Sequence, residues 1–140
     1  MNHFFGNIHI LNKYYPAIAK MYLRYGSLQI RNVATIGGNI ANASPIGDSA
    51  PALISLDSSI LIEGNQSKII KLKNFFIIYK KNLLKNNEFI KEIIIPIDKN
   101  SIFKCYKISK RFDDDISSVF MAIKLKLKNE IINKISITFG

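Results

Sequence analysis

Apolar residues follow two different spacings along the chain, one typical of helices and one typical of strands. In residues 11–25, LNKYYPAIAKMYLRY, apolar side chains recur at spacings of three and four, which predicts a helix with one buried face. Pro16 would lie in the first turn of this helix, and Gly26 would end it. From residue 59 the period changes to two, and the segments SSILIE and KIIKLK predict two strands joined by a turn at GNQS.

The same strand period continues to the end of the sequence. EFIKEIIIP predicts a strand ended by Pro96, FKCYKIS predicts another, and VFMAIKLKLK with EIINKISITF predicts a hairpin around Lys128-Asn129-Glu130. NFFIIYKK is predicted to be a short helix or turn under the sheet. The fold class is therefore α+β with mostly antiparallel strands. A polar break, Asp98-Lys99-Asn100-Ser101, is the predicted boundary between residues 1–98 and 101–140, and the apolar ending ISITFG predicts an incomplete second unit.

One segment, RNVATIGGNIANASPIGDSAPALISL, follows neither period and is nearly neutral in a lysine-rich chain. We expect a loop and a short strand up to Asp48, which would cap a helix that has Pro51 in its first turn. Gly37 and Gly38 would allow positive φ and the close approach of another molecule, and consecutive amides in such a turn can bind an anion. Two interpretations stay open: a tight turn between strands, or a backbone surface against a large cofactor.

Composition excludes several classes of protein. The chain has 140 residues, enough for one domain or one domain with part of another, and a net charge of +10. Seventeen of its twenty basic residues are lysines, and aromatic and basic residues are not interleaved on any one strand as a stacking platform would need, so we expect a solvated surface and no nucleic-acid partner. The sequence contains no run of about 18 apolar residues, so it predicts no membrane span. The absence of a secretion signal and the single Cys105 predict a cytoplasmic protein without disulfides.

Common catalytic and metal-binding motifs are missing. The sequence has no GxxxxGK[ST] or GxGxxG motif, and neither His3 nor His9 has a flanking cysteine or paired carboxylate, so we expect no metal site. A hydrolase built on Ser44 and Asp48 lacks a downstream histidine. The run of three acids at 113–115 is typical of a solvated turn, and Cys105 is expected to serve packing.

The sequence RYGSLQIRNVATIGGNIANASPIGDSAPALISL resembles the second flavin-binding segment of the FAD domain of molybdenum hydroxylases. FFIIYKK, EFIKEIIIP and KISKRFDDDIS follow in that family's order, and the last is most similar to the FAD-containing small subunit of bacterial xanthine dehydrogenases. The three arginines of the chain, Arg24, Arg31 and Arg111, fall in or beside the first and last of these stretches.

The resemblance implies a fold. Residues 1–98 would be the second half of a vanillyl-alcohol-oxidase (PCMH)-type FAD domain, and residues 101–140 the start of a carbon monoxide dehydrogenase flavoprotein-type C-terminal domain. The first half of the FAD domain and a [2Fe–2S] domain would then be missing from this sequence. We therefore expect a fragment, a split-gene product or a remnant.

The resemblance also implies cofactor-binding residues and no catalytic ones. Tyr25 would lie near the flavin ring, where the family often has Phe; Asp48 would hydrogen-bond the cofactor, Ile90 would offer its backbone to the ring, and Lys107 would lie near it. The full set is Tyr25, Thr35, Ile36, Gly37, Gly38, Asn39, Asp48, Ile90 and Lys107.

The implied activity is oxidation of xanthine or hypoxanthine at a molybdenum cofactor on a partner large subunit. Electrons would pass through [2Fe–2S] clusters to FAD and from FAD to NAD+. The partners would be that subunit, the missing half of the FAD domain and NAD+. Two alternatives stay open within the family, a non-functional or partner-dependent remnant and the flavoprotein of another molybdenum hydroxylase; a basic nucleic-acid-binding domain is a third.

Overall fold

The computed structural model describes residues 8–112 and 114–140, with side chains from residue 10 onward. The sequence predictions for His3, the His9 side chain and Asp113 lie outside these residues. The helices are α1 (Ile8–Tyr14), α2 (Pro16–Leu23), α3 (Leu28–Val33), α4 (Ile36–Ala41) and α5 (Ser49–Ser55). The strands are β1 (Ser59–Glu63), β2 (Lys68–Lys71), β3 (Phe76–Ile78), β4 (Lys81–Asn82), β5 (Phe89–Ile94), β6 (Ser101–Ile108), β7 (Val119–Lys128) and β8 (Ile131–Phe139).

The helix predicted over residues 11–25 is two helices, α1 and α2. They meet at Tyr15, whose φ of −138° is not helical. Pro16 causes the break, because its ring disfavours a helical conformation in the preceding residue, and it is itself well placed as the first residue of α2. Gly26 ends the region with a φ of +57°, as predicted.

The predicted loop and strand between α2 and Asp48 is wrong, because this segment forms α3 and α4. Each helix has a side-chain cap at its N-terminus: Ser27 Oγ accepts from the Ile30 N–H at 3.3 Å, and Thr35 Oγ1 accepts from the Gly38 N–H at 3.0 Å. The helix α5 follows as predicted, with Pro51 in its first turn. Asp48 precedes α5 but makes no side-chain capping bond, because its carboxylate has other partners.

All strand pairs in the described residues are antiparallel, which confirms the predicted α+β class. The sheets have the strand orders β2-β1-β5, β3-β4 and β6-β7-β8. Asn129 and Glu130 both have positive φ in the β7–β8 hairpin, the conformation of a type I′ turn, as the predicted hairpin requires. NFFIIYKK differs from its prediction: after a 3-10 turn at Leu72–Asn74 it forms β3 and part of β4.

A continuous apolar core joins the helices, the β1 sheet and the β6–β8 sheet. Leu53 and Leu56 are fully buried, as are Ile60 in β1 and Phe120 in β7. Tyr15 packs edge-on against Phe103 across the predicted boundary at residues 98–101, with ring centroids 5.7 Å apart. No helix in the described part of the chain is long and apolar enough to cross a membrane.

Candidate functional site

The structure brings most of the predicted site residues together in pairs. Gly37 lies against Ile90, Gly38 donates to Thr35, Asn39 donates to Tyr25, and Asp48 pairs with Lys107. Ile36, the remaining member, begins α4 and packs against the core. These residues come from α4, β5 and β6 and from the segments that follow α2 and precede α5, and the charge of Asp48 near Tyr25 joins the pairs into one region.

A buried ion pair forms part of this region. Lys107 Nζ is 2.7 Å from Asp48 Oδ2, and the two side chains are only 7% and 4% exposed. Ser117 Oγ donates to the other carboxylate oxygen, Asp48 Oδ1, at 2.6 Å. Both oxygens of Asp48 therefore have a partner, which a buried ion pair needs to offset the loss of hydration. We call Asp48, Lys107 and Ser117 the buried triad.

Tyr25 and Asn39 form a neutral pair beside the buried triad. The Asn39 side-chain amide donates to the Tyr25 hydroxyl, and the ring of Tyr22 packs edge-on against that of Tyr25 at 6.1 Å between centroids. Burial raises the pKa of Tyr25, and the nearby negative charge of Asp48 raises it further. The phenol is therefore protonated at neutral pH, so the pair adds hydrogen-bonding groups without charge.

The two adjacent glycines of α4 have different environments. A Cβ on Gly37 would lie 3.1 Å from the Ile90 carbonyl oxygen, so the absence of a side chain lets α4 pack closely on β5. A Cβ on Gly38 would lie 3.0 Å from Thr35 Oγ1, a side-chain atom, with no atom of another element within 4 Å, and Gly38 is exposed. The predicted positive φ at these glycines is wrong, because the Thr35 cap places them in the first turn of a helix.

The open side of α4 at Gly38 fits a large cofactor with a neutral face. Residues 32–47 contain no charged side chain, and Thr35 and Asn39 supply polar groups on either side of the glycines. The missing side chain at Gly38 leaves the backbone accessible to a flat molecule. The buried triad places one cation, Lys107, in the same region without adding net charge.

Sequence reasoning assigned no role to Arg24, which fixes the loop between β6 and β7. Its guanidinium donates to the Phe112 carbonyl oxygen at 3.0 and 3.2 Å and to the Lys107 carbonyl oxygen at 3.3 Å. It also lies over the Phe112 ring, 4.4 Å from the centroid. The available signal was that the three arginines fall in or beside the distinctive stretches.

The acidic end of the same loop has a structural role. Asp115 Oδ2 accepts from the Arg111 backbone N–H at 2.9 Å, which closes the turn that the sequence predicted as solvated. Hydrogen bonds from Arg111 lower the pKa of Asp115, so the Asp115 carboxylate stays ionised in the turn. No group of three or more His, Cys, Asp or Glu that could hold a metal ion occurs among the described residues.

A cavity of about 250 Å³ lies between α2 and β6, and Cys105 and Lys107 are among the residues that line it. Burial, with a further contribution from the charge of Asp48, raises the pKa of Cys105 from 9.0 to about 12. The thiol is therefore protonated at neutral pH and is a poor nucleophile, in agreement with the expected packing role.

Comparisons with known proteins identify two family regions. The family described as "FAD binding domain in molybdopterin dehydrogenase" matches residues 6–98, and the family described as "CO dehydrogenase flavoprotein C-terminal domain" matches residues 104–140. Xanthine dehydrogenase of Blastobotrys adeninivorans is 34% identical over 135 residues, which are 93% of this chain and 10% of that protein. Nicotinate hydroxylase hnxS of Emericella nidulans is 32% identical over 131 residues, 89% of this chain and 10% of that protein.

Solved structures share the fold. Carbon monoxide dehydrogenase from Hydrogenophaga pseudoflava superposes with a TM-score of 0.88 at 24% identity, over 96% of this chain and 48% of that chain. Quinoline 2-oxidoreductase from Pseudomonas putida 86 gives a TM-score of 0.87 at 19% identity, over 99% of this chain and 49% of that chain. The chain thus spans about half the length of these solved chains and a tenth of the curated relatives.

Proposed function

The chain belongs to the family of FAD-binding domains in molybdopterin dehydrogenases. From this membership we propose that the exposed side of α4 at Gly38, together with the buried triad, forms part of an FAD site. The match confirms the predicted family, the predicted fold and FAD as the cofactor of the family. The observation that supports this location is Gly38, which is exposed in the capped first turn of α4, within the uncharged stretch of residues 32–47.

The chain's own residues would bind and orient the cofactor. Gly38 and Thr35 would lie along it, and the neutral Tyr25 hydroxyl, held by Asn39, would remain a hydrogen-bonding group that does not ionise. Asp48 would hold the Lys107 ammonium in place. FAD, when bound, supplies the chemistry of accepting and passing on electrons.

For the whole protein we propose purine oxidation by a xanthine dehydrogenase, with this chain as part of its electron-transfer flavoprotein. Support comes from relatives named xanthine dehydrogenase at 34% and 32% identity. The molybdenum cofactor and [2Fe–2S] clusters would lie outside this chain, on a large subunit among other parts, and NAD+ would be the final acceptor. The second candidate is the flavoprotein of another molybdenum hydroxylase, which the similarity to a nicotinate hydroxylase supports.

A titration followed by NMR tests the FAD site and detects weak binding. We expect FAD, and also FMN, to shift the amide signals of residues 35–39 and of Lys107, because the resemblance implies that Ile90 and Lys107 lie at the flavin ring and Gly37 packs against Ile90. Gly38→Val should remove these shifts and keep the fold, since the added Cβ would meet only Thr35 Oγ1, at 3.0 Å, and this side chain can give way without moving another element. Asn32→Val, on the exposed surface of α3, is the matched control. Unshifted signals in the wild-type chain, or full shifts in Gly38→Val, would contradict the proposal.

A further inference from the structure

Building on the proposed FAD site, we propose that Ser117 is a positioning residue. Its hydroxyl holds the Asp48 carboxylate and, through it, fixes the Lys107 ammonium in the cofactor site. The hydroxyl bonds one carboxylate oxygen at 2.6 Å while the ammonium bonds the other at 2.7 Å. Ser117 is 8% exposed and Asp48 3%. Water has little access to replace either partner.

The buried triad also ties together the two ends of one loop. Lys107 lies near the end of β6 and Ser117 just before β7, so a single carboxylate from the start of α5 holds both sides of residues 109–116. The Ser118 N–H donates to the Ile108 carbonyl oxygen at 2.8 Å and closes the loop at its base. Arg24 holds the middle of the loop at Phe112. Ser117 is therefore the contact that connects the far end of this loop to Asp48.

A hydroxyl suits this position because it donates a hydrogen bond without adding charge. A cation at residue 117 would compete with Lys107 for the carboxylate, and alanine would leave Asp48 Oδ1 buried without its donor. The carboxylate would then be free to turn about its Cβ–Cγ bond. The Lys107 ammonium would move with it, because Asp48 is its partner in the ion pair.

The reactivity of lysine amines towards an acylating reagent tests this positioning in the full chain without any cofactor. Mass spectrometry of the acylated protein gives a rate for each lysine. In Ser117→Ala we expect Lys107 to react roughly tenfold faster, as loss of a buried hydrogen bond to a charged group allows. Lys68, paired with Glu88 at 2.8 Å in a different sheet, should keep its rate. The exposed neighbour variant Ser118→Ala should leave both rates unchanged, and Ser117→Thr, which keeps the hydroxyl, should restore slow acylation at Lys107.

An unchanged Lys107 rate in Ser117→Ala would overturn the proposal, and so would an equal acceleration at Lys68, because that would indicate general loosening of the fold. The FMN titration supplies the second measurement. In Ser117→Ala we expect the FMN-induced shift of Lys107 to be lost while those of residues 35–39 persist; retention of the Lys107 shift would also count against positioning. If wild-type chain shows no FMN shifts yet Lys107 acylation depends on Ser117, the proposed FAD site fails and the positioning of Lys107 stands.

Discussion

At the scale of single residues, the Asp48 carboxylate acts on more than its direct partners. It binds Lys107 and Ser117, and its charge also raises the pKa values of Tyr25 and Cys105. Tyr25 and Cys105 lie far apart in the sequence, so one buried charge influences the ionisation of side chains from two separate segments. The consequences for stability are largest at alkaline pH, where the two raised groups would otherwise ionise.

Cys105 provides the clearest pH prediction. Its pKa rises from 9.0 to about 12 on folding, first through burial and then through Asp48, so between these values the unfolded chain releases a proton that the folded chain retains. The thiol's contribution to stability is complete below pH 9 and falls as the pH rises towards 12, by at most about 1.4 kcal/mol per pH unit. We expect Cys105→Ser, whose hydroxyl does not ionise, to lose less unfolding free energy than wild type in urea titrations from pH 8.5 up to about pH 10.5. Tyr22 and Tyr25, whose pKa values are also raised by burial, are present in both proteins, so the difference between the two pH profiles reports on Cys105. Parallel pH profiles for the two proteins would show that Cys105 is accessible to water.

At the scale of secondary-structure elements, the sequence predicted strands better than helices. The alternation of apolar and polar residues in β1, β2 and β5–β8 was sufficient to predict these strands, because successive side chains of a strand point to opposite faces of the sheet. The helices α3 and α4 have six residues each, less than two turns, so no periodicity could reveal them; only the caps Ser27 and Thr35 mark their starts. The partners of Ser117 and Arg24 lie 69 and 88 residues away, and no local pattern predicts such contacts.

The two glycines of α4 allow packing and cofactor access to be separated. Gly37→Val would push its side chain against the Ile90 carbonyl oxygen, a backbone atom that cannot move aside without shifting β5. We expect a loss of roughly 1–3 kcal/mol of unfolding free energy, as for other overpacked sites. Gly38→Val should cost less, because the added Cβ would meet only the Thr35 side chain, at 3.0 Å, and no backbone atom of another element. Chemical denaturation measures the difference, and hydrogen exchange should show faster exchange in α4 and β5 for Gly37→Val alone. Equal losses for the two variants would contradict the separate roles.

At the scale of the whole molecule, the β6–β7–β8 sheet has one buried and one exposed face. Phe103, Phe120 and Ala122 point into the core. The alternate side chains form cross-strand rows on the opposite face, which we call the outer face: Tyr106–Met121–Phe139, Lys104–Ile123–Ile137 and Ile102–Leu125–Ile135. Eight of these nine residues are apolar or aromatic, and those on β6 and β8 are exposed, so the outer face is a contiguous hydrophobic surface.

This outer face predicts that the chain associates in solution. Removing apolar surface from water is favourable by about 25 cal/mol per Å², and the rows place their side chains side by side rather than scattered. We expect the mass measured by light scattering or sedimentation to increase with protein concentration. Ile137→Lys, in the middle row of the outer face on the edge strand β8 and 46% exposed, should shift the chain towards the monomer. Ile69→Lys, which changes an exposed isoleucine of β2 in another sheet, adds the same charge and should have little effect. A wild-type chain that stays monomeric at all concentrations would show that the outer face does not drive association. Equal suppression of association by the two variants would show that the added charge, and not its place on the outer face, determines the result.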